Sequence, residues 1–362
     1  MHSRPPSSCL PIILAAPLGL VAGVVHAGLV FSFSSTGNSQ ADAAFAAAGA
    51  RWSSDFTDNV TINVNAGFAV LAPGVLASTS TAAVLAPYTM VRDALIADAT
   101  SADDATAVAH LPVGSVNMLI NRTANDPNGA GSATPYLDAN GSANNRAIAM
   151  TRADAKALGL IAGNNATIDA NITFNSSFFY DFNPADGIGA GLYDFVGLAT
   201  HELGHALGFI SGVDVLDTES PPAAGPFPED DFTNVTPLDL YRYSSDSAVV
   251  GAIDWTADSR AKYFSIDGGA TDIALFATGK NFGDGRQASH WKDDLGIGVM
   301  DPTAAGGEKL GITPTDLRAF DVIGWNLASA SLPEPVTPLL FASALLAGGL
   351  ARRQQTAERP NG

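Results

Sequence analysis

The chain has a single cysteine, Cys9, which lies within the first ten of its 362 residues. The rest of the protein must therefore fold without disulfide bonds, and neither thiol catalysis nor thiolate metal ligands are available to it. Histidine is scarce as well, with six in total, and two of these precede residue 28. A histidine-based site in the remainder of the chain has only four candidates: His110, His201, His205 and His290.

Basic residues are also few. The chain has 18 lysines and arginines against 36 acidic residues, which gives a formal net charge of −18. This balance argues against nucleic acid or an anionic membrane surface as a partner. Hydrophobic residues make up 46% of the chain and charged residues 15%, which is typical of a protein with a core. With 36 glycines and 21 prolines, we expect long loops and short strands in an α+β fold.

The N-terminal segment has the pattern of a secretory signal peptide. Arg4 precedes an apolar run from Cys9 to Val25, and Val25-His26-Ala27 forms a small-residue cleavage site. We predict a signal peptide over residues 1–27. A membrane anchor is the alternative, which is less favoured because two prolines interrupt the run.

The C-terminal segment combines Pro333-Glu334-Pro335, an apolar run ending at Ala351, and Arg352-Arg353. The apolar run is short for a membrane span. Its arrangement resembles the PEP-CTERM sorting signals of exopolysaccharide-producing Gram-negative bacteria. The resemblance implies exosortase processing of residues 331–362, only transient contact with the membrane, and a secreted, cell-surface or matrix location. A plain C-terminal anchor with its basic residues held inside is the alternative.

Between these ends, hydrophobic periodicity predicts alternating helices and strands. We expect helices at about 38–52, 88–98, 151–158 and 313–323, and strands at about 60–64, 75–80, 116–120, 168–174, 238–243, 263–266 and 273–277. Most of 102–145 is expected to be loop. The strand at 168–174 is expected at the edge of a sheet, where it would line a cleft and align an extended substrate.

The sequence His201-Glu202-Leu203-Gly204-His205 predicts a zinc-binding helix. Two histidines four residues apart project from one face of a helix and can share a metal ion. Glu202 lies beside the first ligand, where it can accept a proton from water without binding the metal. Gly208 is expected to end the helix. A catalytic zinc site usually takes three protein ligands, so the rest of the chain must supply one more.

The third ligand cannot be a histidine at the short spacing, because that position is occupied by Ser211. Among downstream carboxylates, Glu229 has the most usable separation, but it lies in a proline-rich loop rather than on a second helix. His110, between Ala109 and Leu111, is interpreted as structural. We favour His290 over Glu229, with an ordinary surface histidine as the alternative reading of His290.

The ordered motifs resemble those of the metzincin metalloproteases, and within them the leishmanolysin type, in which a long insertion precedes the third histidine. They are His201 to Phe209, Ser289-His290-Trp291, and a Met-turn at Val299-Met300-Asp301-Pro302. The resemblance implies a zincin-like catalytic domain over residues 28–330, with subdomains at about 28–211 and 212–330 and a C-terminal helix after the Met-turn.

The resemblance also implies roles for individual residues. Zinc would be bound by His201, His205 and His290, and Met300 would form a hydrophobic floor under the metal. Two family features do not carry over. The chain lacks the cysteines for a disulfide framework or thiol-based activation, and Asp301 and Pro302 stand where some metzincins add a tyrosine ligand.

The sequence therefore predicts an exported zinc endopeptidase with a protein or peptide substrate, in which Glu202 is the general base. Two alternatives remain: a non-catalytic zinc-containing surface or matrix protein, and a zinc hydrolase that acts on a non-peptide bond. Calcium is a second candidate ion, for the oxygen-rich loop from Asp181 to Gly187, although a solvated turn is favoured there.

Overall fold

The computed structural model describes residues 28–220 and 227–328. The segments interpreted as signal peptide and sorting signal lie outside these ranges, so both interpretations stay predictions. Within the described residues, no helix has the length and apolar character needed to span a bilayer.

Helices and short strands alternate along the chain, as a mixed α/β class requires. The helices are α1 Ser39–Asp55, α2 Tyr88–Asp98, α3 Ala102–His110, α4 Ala143–Arg146, α5 Arg152–Ala157, α6 Phe195–Leu207, α7 Val213–Glu219, α8 Ser245–Val249 and α9 Pro314–Val322. The strands are β1 Val30–Phe33, β2 Thr61–Ala69, β3 Ala77–Thr81, β4 Ala83–Pro87, β5 Met118–Ile120, β6 Tyr136–Asp138, β7 Ala147–Thr151, β8 Ala170–Asn175, β9 Tyr180–Asp181, β10 Tyr193–Asp194, β11 Arg242–Tyr243, β12 Ile253–Asp254, β13 Lys262–Phe264 and β14 Ala274–Phe276. Single 3-10 turns lie at Pro184–Asp186, Glu229–Asp231 and Leu238–Tyr241.

The largest sheet has the strand order β1-β2-β8-β3. β2 runs parallel to both β1 and β8, whereas β3 runs antiparallel to β8. The prediction that the strand at 168–174 lies at the sheet edge is therefore wrong, because β8 is interior and β3 is the edge. Alternation of polar and apolar residues shows that one face of a strand is exposed. It does not distinguish an edge strand from an interior one, because an interior strand can also have one exposed face. Asn171 is exposed on that face and accepts a hydrogen bond from the Asn65 amide at 3.0 Å.

The smaller sheets join distant parts of the chain. β11, β13 and β14 form an antiparallel sheet, and β4 pairs with β7. β12 pairs in parallel with β5, which in turn pairs with β6. Strand pairing thus connects the part of the chain after α6 to the part before it.

An aromatic core fixes α6 against α1 and the main sheet. Phe174 of β8 and Phe195 of α6 stack with ring centroids 4.0 Å apart, and Phe45 of α1 meets both edge-on. The indole N–H of the buried Trp52 donates to the Thr200 carbonyl oxygen at 2.9 Å. Helix α6 is therefore held from two sides.

Helix α9 returns the chain to its N-terminal half. The Arg318 guanidinium pairs with Asp103 at 2.6 Å, and the Ser101 hydroxyl donates to Asp321 at 2.5 Å. The Thr57 amide also donates to the Asn326 carbonyl oxygen at 2.8 Å.

Several local predictions are confirmed and others are wrong. Helix α2 occupies the predicted range, and α9 begins at the predicted Thr313 cap, where a capping box with Asp316 forms. The predicted loop over 102–145 contains α3 and α4. The predicted strand at 238–243 is mostly a 3-10 turn, because Pro237 takes a helical conformation in front of it.

Candidate metal centre

Helix α6 has a defined start and end. The Asp194 carboxylate accepts the Gly197 amide at 2.8 Å at the N-terminus, where negative charge also favours the helix dipole. At the C-terminus Gly208 has a φ of +121°, which favours glycine, and this confirms the predicted stop. The helix thus ends two residues after His205.

The structure brings together His201, His205 and His290. The Nε2 atom of His205 lies 3.1 Å from that of His201 and 3.2 Å from that of His290, although His290 follows 85 positions later. The ring of His205 is at 87° to both other rings, whose planes differ by only 19°. These three residues form the only group of three metal-ligating side chains found within residues 28–220 and 227–328.

Hydrogen bonds define the tautomer of each ring. The Nδ1 atoms contact backbone carbonyl oxygens, which accept hydrogen bonds only, so each Nδ1 must carry the proton. These contacts join His201 to Val299 at 2.8 Å, His205 to Phe209 at 2.8 Å and His290 to Gln287 at 3.3 Å. Three Nε2 lone pairs therefore point at one another.

This arrangement fits a metal ion. Three lone pairs about 3 Å apart repel one another unless a cation lies between them, and nitrogen atoms bound to one tetrahedral zinc lie about 3.3 Å apart. Burial lowers the pKa of His205 to about 3 and that of His290 well below its ordinary value, with a neighbouring histidine adding to each shift. The rings of His205 and His290 are thus neutral, as metal ligands must be. Imidazole suits several transition metals, so the donors alone do not identify the ion.

The Glu202 carboxylate lies beside the histidines and is held by a residue that belongs to none of the sequence motifs. The Thr79 hydroxyl of β3 donates to Glu202 Oε2 at 2.6 Å. Burial raises the pKa of Glu202, while His201 and the Thr79 bond oppose the shift. Only the order of strands in the sheet, which pattern analysis misassigned, could have pointed to Thr79.

Met300 packs directly beneath α6. A Cβ atom at Gly204 would lie 2.4 Å from the Met300 sulfur, so a side chain at position 204 has no room. The Asp316 carboxylate of α9 holds this turn by accepting the Val299 amide and the Trp291 indole N–H, both at 2.8 Å. The sequence identified Met300 but not Gly204 or Asp316.

A cleft of about 590 Å³ opens over the histidines and Glu202. The edge strand β3 forms one wall through Ala77 to Thr79. Other walls come from three groups of residues: Phe178, Tyr193 and Leu198 near the start of α6, Lys280 and Arg286 before the third histidine, and Asp301 to Ala304 after Met300. The cleft is therefore bounded by a sheet edge and reaches the candidate ligands.

Other candidates from the sequence lie elsewhere. His110 is exposed at the end of α3, with Nδ1 2.8 Å from the Thr106 carbonyl oxygen. Glu229 accepts a hydrogen bond from the Tyr136 hydroxyl at 2.7 Å. In the candidate calcium loop, the Asp181 carboxylate accepts the Asn183 amide at 3.0 Å and the Gly189 amide at 2.9 Å.

No protein-family model, curated protein or solved structure matches the chain. The three-histidine group and its surroundings are consistent with a zincin-like arrangement. They do not by themselves show a family.

Proposed function

We propose that this protein is a zinc-dependent endopeptidase of the metzincin type, with the long spacer that resembles leishmanolysin. The observation that carries the proposal is the convergence of His201, His205 and His290 beside Glu202 in an open cleft. The alternative, a helix that merely has two histidines on a polar edge, explains neither the buried carboxylate of Glu202 nor the third ring, which His290 brings from a distant loop.

The three Nε2 atoms would hold the metal. Three neutral histidines leave a position for water or substrate, which distinguishes a catalytic zinc site from a closed structural one. When bound, zinc supplies Lewis acidity, which polarises a carbonyl group and acidifies water. The three Nδ1–H bonds to carbonyl oxygens keep the rings oriented for this role.

Glu202 would move the proton. Because Thr79 occupies Oε2, Oε1 is the oxygen without a hydrogen bond from a described residue. We assign Oε1 the role of accepting the proton of the attacking water and passing it to the nitrogen of the leaving amine. The surrounding burial keeps the carboxylate basic enough for the transfer.

Strand β3 would orient the substrate. Its outer edge pairs with no described strand and borders the cleft. An extended peptide can add to such an edge through backbone hydrogen bonds, which give affinity without strong side-chain preference. Thr79 would then place Glu202 and the peptide backbone next to each other.

The terminal sequences support an exported enzyme. The signal peptide over 1–27 would direct secretion, and the segment over 331–362 would be processed by an exosortase. We therefore propose that the enzyme acts on proteins or peptides outside a Gram-negative cell, at its surface or in its matrix.

The test is metal analysis combined with cleavage of denatured casein. Glu202→Ala keeps all three histidines, so it should retain zinc and lose hydrolysis by about 10²–10⁴-fold. His290→Ala, as the matched variant, should lose both zinc and activity. Full activity of Glu202→Ala would contradict the proposal.

Two further outcomes identify the alternatives. Bound zinc with no chelator-sensitive cleavage of any substrate would indicate a non-catalytic zinc protein. Chelator-sensitive hydrolysis of esters but not of casein would indicate a zinc hydrolase with a non-peptide substrate.

A further inference from the structure

The third candidate ligand has no helix or strand of its own. His201 and His205 are fixed by α6, whereas His290 lies in a loop after β14. The hydrogen bond of its ring is the longest of the three, at 3.3 Å to the Gln287 carbonyl oxygen. Its position must therefore be maintained by contacts to the neighbouring backbone.

The Ala277 amide donates to the His290 carbonyl oxygen at 3.0 Å. The two residues before His290 are held by Asp214 on α7. Its carboxylate accepts the Ala288 amide at 2.6 Å, the Ser289 amide at 3.1 Å and the Ser289 hydroxyl at 2.5 Å. The Ser289 hydroxyl in turn accepts the Ser211 amide at 2.9 Å. One carboxylate thus holds the two residues immediately before His290 and links them to the segment that follows α6.

The charge of Asp214 is balanced by these donors. No lysine or arginine among the described residues forms an ion pair with it within 4.0 Å. A carboxylate that accepts several N–H and O–H groups makes charge-assisted bonds, which are stronger than neutral ones. Asp214 therefore orders Ala288 and Ser289 rather than serving as part of a surface ion pair.

We propose that Asp214 is a positioning residue for the third metal ligand: it holds Ser289 so that the His290 Nε2 atom meets those of His201 and His205. This inference rests on the metal site of the proposed function, but not on peptide hydrolysis. The bonds of Asp214 go to the backbone beside the ligand and not to the ligand ring.

Asp217, one turn later on α7, provides a matched control. It accepts the Asn281 amide at 2.7 Å and the Phe282 amide at 2.8 Å, and it is almost fully buried. Both aspartates therefore fasten the same loop to the same short helix. Only Asp214 acts next to His290, so loss of Asp217 should cost stability without moving the ligand.

The experiment compares Asp214→Asn and Asp217→Asn in the full chain. Zinc affinity is measured by competition with a chromophoric chelator, and the thermal stability of the metal-free proteins is measured separately. Both variants should lower Tm, because an amide nitrogen replaces one oxygen that accepts N–H groups. Asp214→Asn alone should weaken zinc binding, by about 10–100-fold.

Unchanged zinc affinity of Asp214→Asn would overturn the inference, as would equal weakening in both variants. If Asp214→Asn does not fold, Ser289→Ala and Ser289→Thr decide. The alanine variant loses one bond to Asp214 and should bind zinc several-fold more weakly, whereas the threonine variant keeps the hydroxyl and should not. Equal affinity of these two variants would overturn the inference. A wild-type protein that binds zinc but cleaves no peptide would refute only the proposed function.

Replacing zinc with Co²⁺ gives a measurement that would not change if Asp214 only stabilised the fold. The visible bands of Co²⁺ report the number and geometry of its ligands. They should change in Asp214→Asn and stay those of the wild type in Asp217→Asn. Wild-type bands in Asp214→Asn would contradict a positioning role.

Discussion

Replacing Gly204 with alanine tests the packing of Met300 against helix α6. The new Cβ would lie 2.4 Å from the Met300 sulfur and 3.1 Å from its Cε. Met300 is completely buried, and its backbone oxygen accepts the Trp291 amide at 3.0 Å. The side chain can therefore rotate only into occupied space, while its backbone is held in place.

The magnitude follows from two opposing effects. Alanine stabilises a helix interior by about 1 kcal/mol relative to glycine. Overpacking a filled core costs about 1–3 kcal/mol. Because 2.4 Å is far below van der Waals contact, we expect the cost to lie at the upper end of that range. The net loss of about 1–2 kcal/mol corresponds to a decrease in Tm of roughly 2–3 °C for a domain of about 300 residues.

The assay is a double-mutant cycle. Thermal unfolding is measured for the metal-free wild type, Gly204→Ala, Met300→Ala and the double variant. Met300→Ala opens space beneath α6, so Gly204→Ala in that background should be neutral or stabilising by about 1 kcal/mol. The sign of the alanine effect should thus reverse when Met300 is shortened. An increase in Tm for Gly204→Ala in the wild-type background would refute the packing described here.

Three further predictions concern other contacts. Thr79→Val removes the hydrogen bond to Glu202 and should lower kcat/KM for casein by about 10–100-fold with zinc retained. Thr79→Ser keeps the hydroxyl group and should not lower it. Equal activity of the two variants would contradict the role of Thr79. Lys156→Met removes the ammonium group that lies 2.6 Å from the buried Asp169 carboxylate, and it should lower the free energy of unfolding by about 3 kcal/mol. Adding Asp169→Asn to this variant should recover part of the loss. An unchanged urea midpoint for Lys156→Met would count against this. Burial and neighbouring aspartates raise the pKa of Asp321 to about 7. The folded protein is stabilised by protonation of this carboxyl group. That stabilisation is fully present below about pH 4, near the pKa of Asp in the unfolded chain, and is lost as the pH rises through 7. Asp321→Asn should therefore raise Tm at pH 8, by roughly 2–4 °C, and much less at pH 4; equal shifts at both would disprove the cause.

Helix α6 could be predicted because its determinants are local. His201 and His205 share a face through the helical repeat, and Gly208 ends the helix through its positive φ. His290 could be proposed because few histidines were available and because Ser289, His290 and Trp291 form a motif. Nothing local, however, indicated that Asp214 would hold Ser289.

The edge of the main sheet could not be predicted because it depends on distant pairing. β2 and β8 meet in parallel with Val64 opposite Ala170, and β3 then covers the other side of β8. Either β3 or β8 could have been the edge on its pattern alone. Helix α7 was missed for a different reason: seven residues that begin after Gly212 without a side-chain cap leave no periodic pattern to detect.

The excess of aspartate has a structural basis around the candidate metal centre, in a chain whose described residues include no cysteine. Aspartate outnumbers glutamate thirty to six. The half-buried Asp214 and the buried Asp239 and Asp316 each accept backbone N–H groups from a segment distant in sequence. A short carboxylate can do this with less loss of side-chain entropy than glutamate. Unlike disulfides, such bonds leave the unfolded chain unconstrained, and their strength depends on the local exclusion of water. Loss of one of them should therefore loosen the loop that it holds, which is why Asp214 and Asp217 can be separated by experiment although both lie on α7.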